Sequence, residues 1–89
     1  MILLAVLLAA PAAVPAQAVP RDVRRFVDRR AMCDHWSGEE PYDQARNAQI
    51  LAALTRLRCE TIDADEAKLR RRYAQDPAAL RALDPVEEP

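Results

Sequence analysis

Residues 43–59 read DQARNAQILAALTRLRC, and this stretch decides the fold class. Ile50, Leu51, Leu54 and Leu57 form a tight apolar stripe at the i, i+4, i+7 spacing of one helix face. Alanines fill many of the remaining positions, which favours helix formation and lets a second helix approach closely. The stretch therefore predicts an amphipathic helix that begins near Pro41 or Asp43 and ends at about Cys59.

The segment before this stretch also has a helical pattern. Residues 21–35 follow Pro20, a residue that suits the first turn of a helix, and Gly38 is expected to end that helix. Charged residues occupy the other side of the segment. Its apolar positions recur at near-helical spacing and are Val23, Phe26, Val27, Met32 and Cys33.

Two shorter helical segments follow the second helix. Asp63 and Glu66 have the spacing of a capping box, which predicts that a third helix begins just after Asp63. Asp76 and Pro77 predict the start of a short fourth turn. The apolar contacts of these segments are expected from Leu69, Tyr73, Leu80 and Leu83. With one glycine and no run of β-branched residues, the fold class predicted is all-α, a small three-helix arrangement with a short C-terminal helical turn.

The beginning of the chain has the pattern of an export signal. No charged residue precedes Arg21, the apolar run 2–10 has the length of a signal h-region, and residues 16–18 (Ala-Gln-Ala) offer small side chains for signal peptidase. We therefore expect a cleavable signal peptide over residues 1–18 and a periplasmic or secreted mature protein that begins at Val19. An uncleaved anchor is the alternative, although three prolines interrupt the stretch and disfavour stable membrane insertion.

The remaining 71 residues make one small helical domain over residues 19–83 and a frayed tail over residues 84–89. Domains of this size gain only about 3–5 kcal/mol from their core and commonly need a covalent staple. Cys33 and Cys59 are the only cysteines, and in an oxidising compartment they are expected to form a disulfide. The closed loop of roughly 27 residues would stabilise the fold by about 3–4 kcal/mol.

The charges exclude one class of partner. Thirteen basic and 14 acidic residues give a net charge of −1, which is not typical of a nucleic-acid-binding protein. Charges of both signs mixed along helices indicate solvated surfaces. A possible partner is instead another periplasmic protein.

Residues 33–46 concentrate the rare side chains of the chain. They hold its only His, only Trp and only Gly, and we call residues 35–43 the His35 corner. One interpretation is that this segment is simply a corner between two helices. Trp36 and Tyr42 would then cap the core, and Gly38 would supply a backbone angle that other residues avoid. Acidic residues would favour the start of the second helix, where Arg46 could pair with one of them. These acidic residues are Glu39, Glu40 and Asp43.

Three functional interpretations of the His35 corner remain open at this point. It could be a protein-interaction surface built on His35, Trp36, Glu39, Glu40 and Tyr42, because aromatic side chains contribute much of the energy of interfaces. It could bind a metal through His35 and nearby carboxylates, although zinc sites draw on three or four ligands. Catalysis would require a nucleophile such as the neighbouring serine, and no orienting partner is placed by spacing. We expect a non-enzymatic protein without a cofactor.

The motif Cys33-x-His35-Trp36-x-Gly38-Glu39-Glu40, followed by a second cysteine and Leu69-x-x-x-Tyr73, resembles a set of uncharacterised small exported bacterial proteins. The resemblance covers most of residues 26–77. It implies export and a single disulfide, and it implies no activity, catalytic residue or cofactor.

Overall fold

The computed structural model describes residues 2–5 and 18–85, and within them all regular structure is helical. The helices are α1 (Arg21–Ser37), α2 (Gln44–Arg56), α3 (Ile62–Arg72) and α4 (Pro77–Leu83), with a short 3-10 helix (Cys59–Thr61) between α2 and α3. The prediction of a small all-α fold with one disulfide is confirmed. Residue 1, residues 6–17 and residues 86–89 lie outside the described residues, and with them most of the predicted signal peptide and the end of the predicted tail.

Helix α1 begins directly after Pro20 and ends at Gly38, as the sequence indicates. It buries Val23, Phe26 and Cys33, whereas Met32 is 44% exposed because it lies off that face. The expectation of an unusual backbone angle at Gly38 is wrong: its φ of −87° and ψ of −5° are ordinary right-handed values. A Cβ placed there would meet the Asp34 carbonyl oxygen at 3.4 Å, an ordinary van der Waals contact.

Helix α2 begins just after Asp43, one of its two predicted starting points, and Asp43 is its N-cap. The Asp43 carboxylate accepts a 2.7 Å hydrogen bond from the Arg46 backbone N–H. The helix ends at Arg56, before the cysteine, because Arg58 adopts left-handed backbone angles (φ 53°, ψ 50°) that stop it. Ile50 and Ala53 are buried, but Leu51 is 55% exposed and lies beside the apolar stripe instead of within it.

The disulfide joins Cys33, one turn before the end of α1, to Cys59, at the start of the 3-10 helix. Their Cα atoms are 5.7 Å apart, within the range that a disulfide can span. Two cysteines near the carboxyl ends of antiparallel helices would lie far apart. Cys59 does not lie in α2, because the chain leaves that helix at the left-handed residue Arg58. The disulfide predicted from the sequence is therefore formed.

Helix α3 starts differently from the prediction. Its N-cap is Thr61, with no side-chain cap bond, and Asp63 lies inside the first turn. The predicted capping box is therefore wrong. The fourth helix starts as predicted, since the Asp76 carboxylate accepts a hydrogen bond from the Ala79 N–H at 3.2 Å and Pro77 occupies the first turn.

The main core lies among α1, α3 and α4. Val23, Phe26, Ala79 and Leu83 form its buried centre. Half-buried side chains that pack around it are Val19, Val27, Ile62, Leu69, Tyr73 and Ala82. Helix α2 contributes no residue to this cluster; it contacts α1, buries Ile50 and Ala53, and is followed by the cysteine that the disulfide ties to α1.

An arginine network fixes the same three helices at one end. Arg30 of α1 donates to Glu66 of α3 at 2.6 Å and to the Leu83 carbonyl, the last residue of α4, at 2.7 Å. Arg70 donates to Glu66 at 3.1 Å, to the same carbonyl at 3.2 Å and to the Asp84 carboxylate at 3.1 Å. The two guanidinium groups thus satisfy a helix C-terminus that would otherwise lack donors.

Candidate functional site

Glu39 holds the His35 corner together. One carboxylate oxygen lies 3.2 Å from Nε2 of His35, and the other lies 3.2 Å from Nη2 of Arg46. The predicted pairing of Arg46 with an acidic residue of this loop is therefore found, and Glu39 is the partner. Because His35 belongs to α1 and Arg46 to α2, this one carboxylate links both helices to the loop between them.

Trp36 packs inside the corner and not in the main core. The guanidinium of Arg46 lies 5.2 Å from the centroid of its ring, and the His35 ring meets it edge-on at 5.6 Å. The indole Nε1 is buried and has no hydrogen-bond partner among the described residues. The contacts of Trp36 are consequently cation–π and dispersion contacts of the ring face.

Tyr42 does not cap the core as expected, because 78% of it is exposed. Its backbone N–H donates to the Glu40 carbonyl at 3.0 Å, and Asp43 next to it is the α2 cap. The Tyr42 ring therefore stands in solvent on a loop whose backbone is fixed on both sides. The side chains of Glu40 and Asp43, both exposed, make its surroundings acidic.

The corner does not assemble a metal site or a catalytic pair within the described residues. No group of three or more His, Cys, Asp or Glu side chains is placed to hold a metal ion in that part of the chain. Both Glu39 oxygens are already paired, and Cys33 is in the disulfide. The Ser37 hydroxyl donates to the Asp34 carbonyl at 3.2 Å and makes no hydrogen bond to His35.

A second site, which reasoning from the sequence missed, lies between α1 and α3. We call it the α1–α3 groove; its volume is about 430 Å³ and it is open to solvent. Arg72 closes one end by donating to Asp22 at 2.9 Å, and Arg29 closes the other by donating to Asp65. The signal was present in the sequence, because both helices carry Asp-x-x-cation-apolar-x-x-Arg.

The acidic groups of the groove are held in their ionised form. Burial raises the pKa of Asp22, but hydrogen bonds from Tyr73, Arg72 and the Val23 N–H outweigh it and hold the pKa below its usual 3.8. Hydrogen bonds from Arg29 and Thr61 lower the pKa of the Asp65 carboxyl. The 2.8 Å bond that the Tyr73 hydroxyl donates to Asp22 raises the pKa of Tyr73.

Comparison of the chain with protein-family models, curated proteins and solved structures found no match. No described helix has the length and apolar character needed to cross a bilayer.

Proposed function

We propose that this is a small protein of the periplasm or the secreted fraction that acts by binding another protein and performs no catalysis of its own. The observation that carries the proposal is Tyr42, an aromatic side chain 78% exposed on an acidic loop that Glu39 fixes to α1 and α2. Exposed aromatics on a fixed backbone are efficient anchors, since little conformational entropy is lost on binding.

Export is supported by where the fold begins. Val19, the first residue after the proposed cleavage site, packs against the core cluster. Ile2, Leu3 and Leu4 are each at least 86% exposed and are not part of that cluster. Cleavage after Ala18 would thus remove an apolar leader and spare the core. A disulfide that links α1 to the segment after α2 also suits an oxidising compartment.

Export is tested by expressing the whole chain in a bacterium with a C-terminal tag and measuring the intact mass of the recovered protein. We expect the mass of a chain whose first residue is Val19, and we expect that mass to increase by two hydrogens when the disulfide is reduced. A full-length product with free thiols, confined to the cytoplasm, would contradict both the export and the disulfide.

Binding is tested by capture from periplasmic extract with the wild-type protein and Tyr42→Ala. We expect the substitution to leave the fold intact, because the Tyr42 ring is exposed and does not pack in the core. Loss of a captured protein would therefore show that the partner binds at the Tyr42 surface. Leu51→Ala, which also removes an exposed apolar side chain, is the matched control. Capture that is equal for all three proteins would contradict the role of the His35 corner.

A further inference from the structure

The α1–α3 groove is built from two copies of one pattern. Helix α1 presents Asp22, Arg25, Phe26 and Arg29 to it, at i, i+3, i+4 and i+7, so all four lie on one helix face. At each end of the groove an aspartate of one helix pairs with the last arginine of the other. The two helices are therefore antiparallel along the groove.

Helix α3 repeats the pattern with Asp65, Lys68, Leu69 and Arg72. The end pairs engage both aspartates and both terminal arginines, and the middle cation of each helix lies between them without a direct ion pair among the described residues, although the charge of Lys68 helps to lower the pKa of Asp65. Lys68 on α3 and Arg25 on α1 form no ion pair with any other described residue. Like charges facing one groove repel each other unless an anion lies between them.

A third cation that forms no ion pair with another described residue, Arg58, lines the same groove. It is the one non-glycine residue with positive φ among the described residues, at 53°. A non-glycine residue is strained in this conformation, so the surrounding structure must hold Arg58 in it. Between the cations, half-buried Leu69 supplies an apolar surface, whereas Phe26 lies buried beneath the groove with the guanidinium groups of Arg29 and Arg30 at 5.6 and 5.5 Å from its ring centroid.

We propose that the α1–α3 groove binds an acidic peptide segment of another protein. Its carboxylates would lie against Arg25, Lys68 and Arg58, and an apolar side chain would lie on Leu69. The groove volume of about 430 Å³ is in the range of ligand sites. A peptide can enter between the end pairs, whereas a flat anionic surface would bring its own charges against the aspartates at both ends.

This proposal is independent of the His35 corner and of export. The test is an NMR titration of the oxidised, ¹⁵N-labelled protein with the peptide acetyl-Glu-Glu-Leu-Glu-Glu-amide, beside its counterpart in which Gln replaces every Glu. We expect saturable shifts of the groove amides with the acidic peptide, weakened by added salt, and none with the Gln peptide. Absence of saturable shifts with the acidic peptide would overturn the proposal.

The decisive variant is the pair Arg25→Gln with Lys68→Gln, since neither residue holds an ion pair that the fold needs. We expect it to bind the acidic peptide about tenfold less tightly, with unchanged urea unfolding. The matched control, Arg24→Gln with Arg71→Gln, removes two exposed charges from the same helices outside the groove and should bind like wild type. Equal losses in both variants would mean that only net charge matters, and the proposal would be wrong.

A vesicle-binding assay distinguishes a peptide ligand from an anionic membrane surface as the occupant of the groove. We expect the protein to bind mixed phosphatidylcholine and phosphatidylglycerol vesicles no better than pure phosphatidylcholine vesicles. Binding to the anionic vesicles that requires Arg25 and Lys68, without binding of the peptide, would overturn the proposal in favour of a lipid surface. Tyr42→Ala should retain peptide binding, which distinguishes a failure of this proposal from a failure of the corner.

Discussion

Arg46 connects the loop after α1 to helix α2 and covers one face of Trp36. Its backbone N–H satisfies the Asp43 cap, its guanidinium pairs with Glu39, and the same group lies over the indole ring. A residue at the start of a helix thereby fixes the loop that precedes it. Trp36 is half-buried because of this contact, although it lies outside the main core.

The Trp36 ring face, and not its N–H, should carry the stability of the corner. We expect Trp36→Phe to lower the free energy of unfolding by less than about 1 kcal/mol, because the cation–π contact with Arg46 survives and an unpartnered buried donor is removed. Trp36→Ala should cost about 2 kcal/mol, less than for a fully buried Trp. Urea unfolding followed by far-ultraviolet circular dichroism measures both. Equal losses in the two variants would show that the indole N–H has a partner.

The helix ends show which local signals suffice and which do not. Asp76 caps the helix that the sequence assigns to it, and Asp43, a predicted start of the second helix, caps α2, because each carboxylate reaches a backbone N–H three residues ahead. Asp63 and Glu66 have an equally good local pattern, yet Arg30, 36 positions earlier, draws Glu66 into an ion pair with α1. A tertiary partner at that separation is invisible to local spacing, so the start of α3 was predicted incorrectly.

Glu66 should therefore stabilise the packing of α3 against α1, because it pairs with Arg30 of α1 and with Arg70 of its own helix. We expect Glu66→Ala to lower the free energy of unfolding by about 1–2 kcal/mol, between the values for exposed and buried ion pairs, because it leaves Arg30 and Arg70 without their shared carboxylate. Glu60→Ala is the matched control, since Glu60 is exposed and forms no ion pair with a described residue. Chemical denaturation of both variants checks the difference, and indistinguishable midpoints would refute it.

At the scale of the molecule, α1, α3 and α4 share one core, and the Cys33–Cys59 disulfide holds α2 to α1. Crosslinking residues 26 positions apart stabilises a fold by about 3–4 kcal/mol in the chain-entropy model. The cysteine pair and most apolar positions follow from composition and periodicity. The α1–α3 groove does not, because it depends on α1 and α3 lying antiparallel, which no local pattern specifies.

Asp22 should give the fold a stability optimum bounded on both the acid and the alkaline side. Its pKa and that of Asp65 are lowered on folding, so below about pH 3.8 the unfolded chain binds more protons, and stability falls as the pH falls through the folded pKa values. The pKa of Tyr73 is raised on folding by its bond to Asp22. Stability is therefore also lost as the pH rises above 10.0, where the unfolded chain gives up the phenolic proton first.

Asp22→Asn tests both limits at once, because the same carboxylate accepts hydrogen bonds from Arg72 and from the Tyr73 hydroxyl. Urea midpoints measured across the pH range should fall less steeply than in wild type at both extremes. Asp28→Asn, an exposed aspartate of the same helix without an ion pair among the described residues, should leave the profile unchanged. No cysteine is free, so thiol exchange does not distort the alkaline points. Tyr73→Phe should remove the alkaline limb and also make the acid limb shallower, because the Tyr73 hydroxyl donates one of the hydrogen bonds that lower the Asp22 pKa. An Asp22→Asn profile as steep as wild type at both extremes would mean that this link between α1 and the end of α3 does not form in solution.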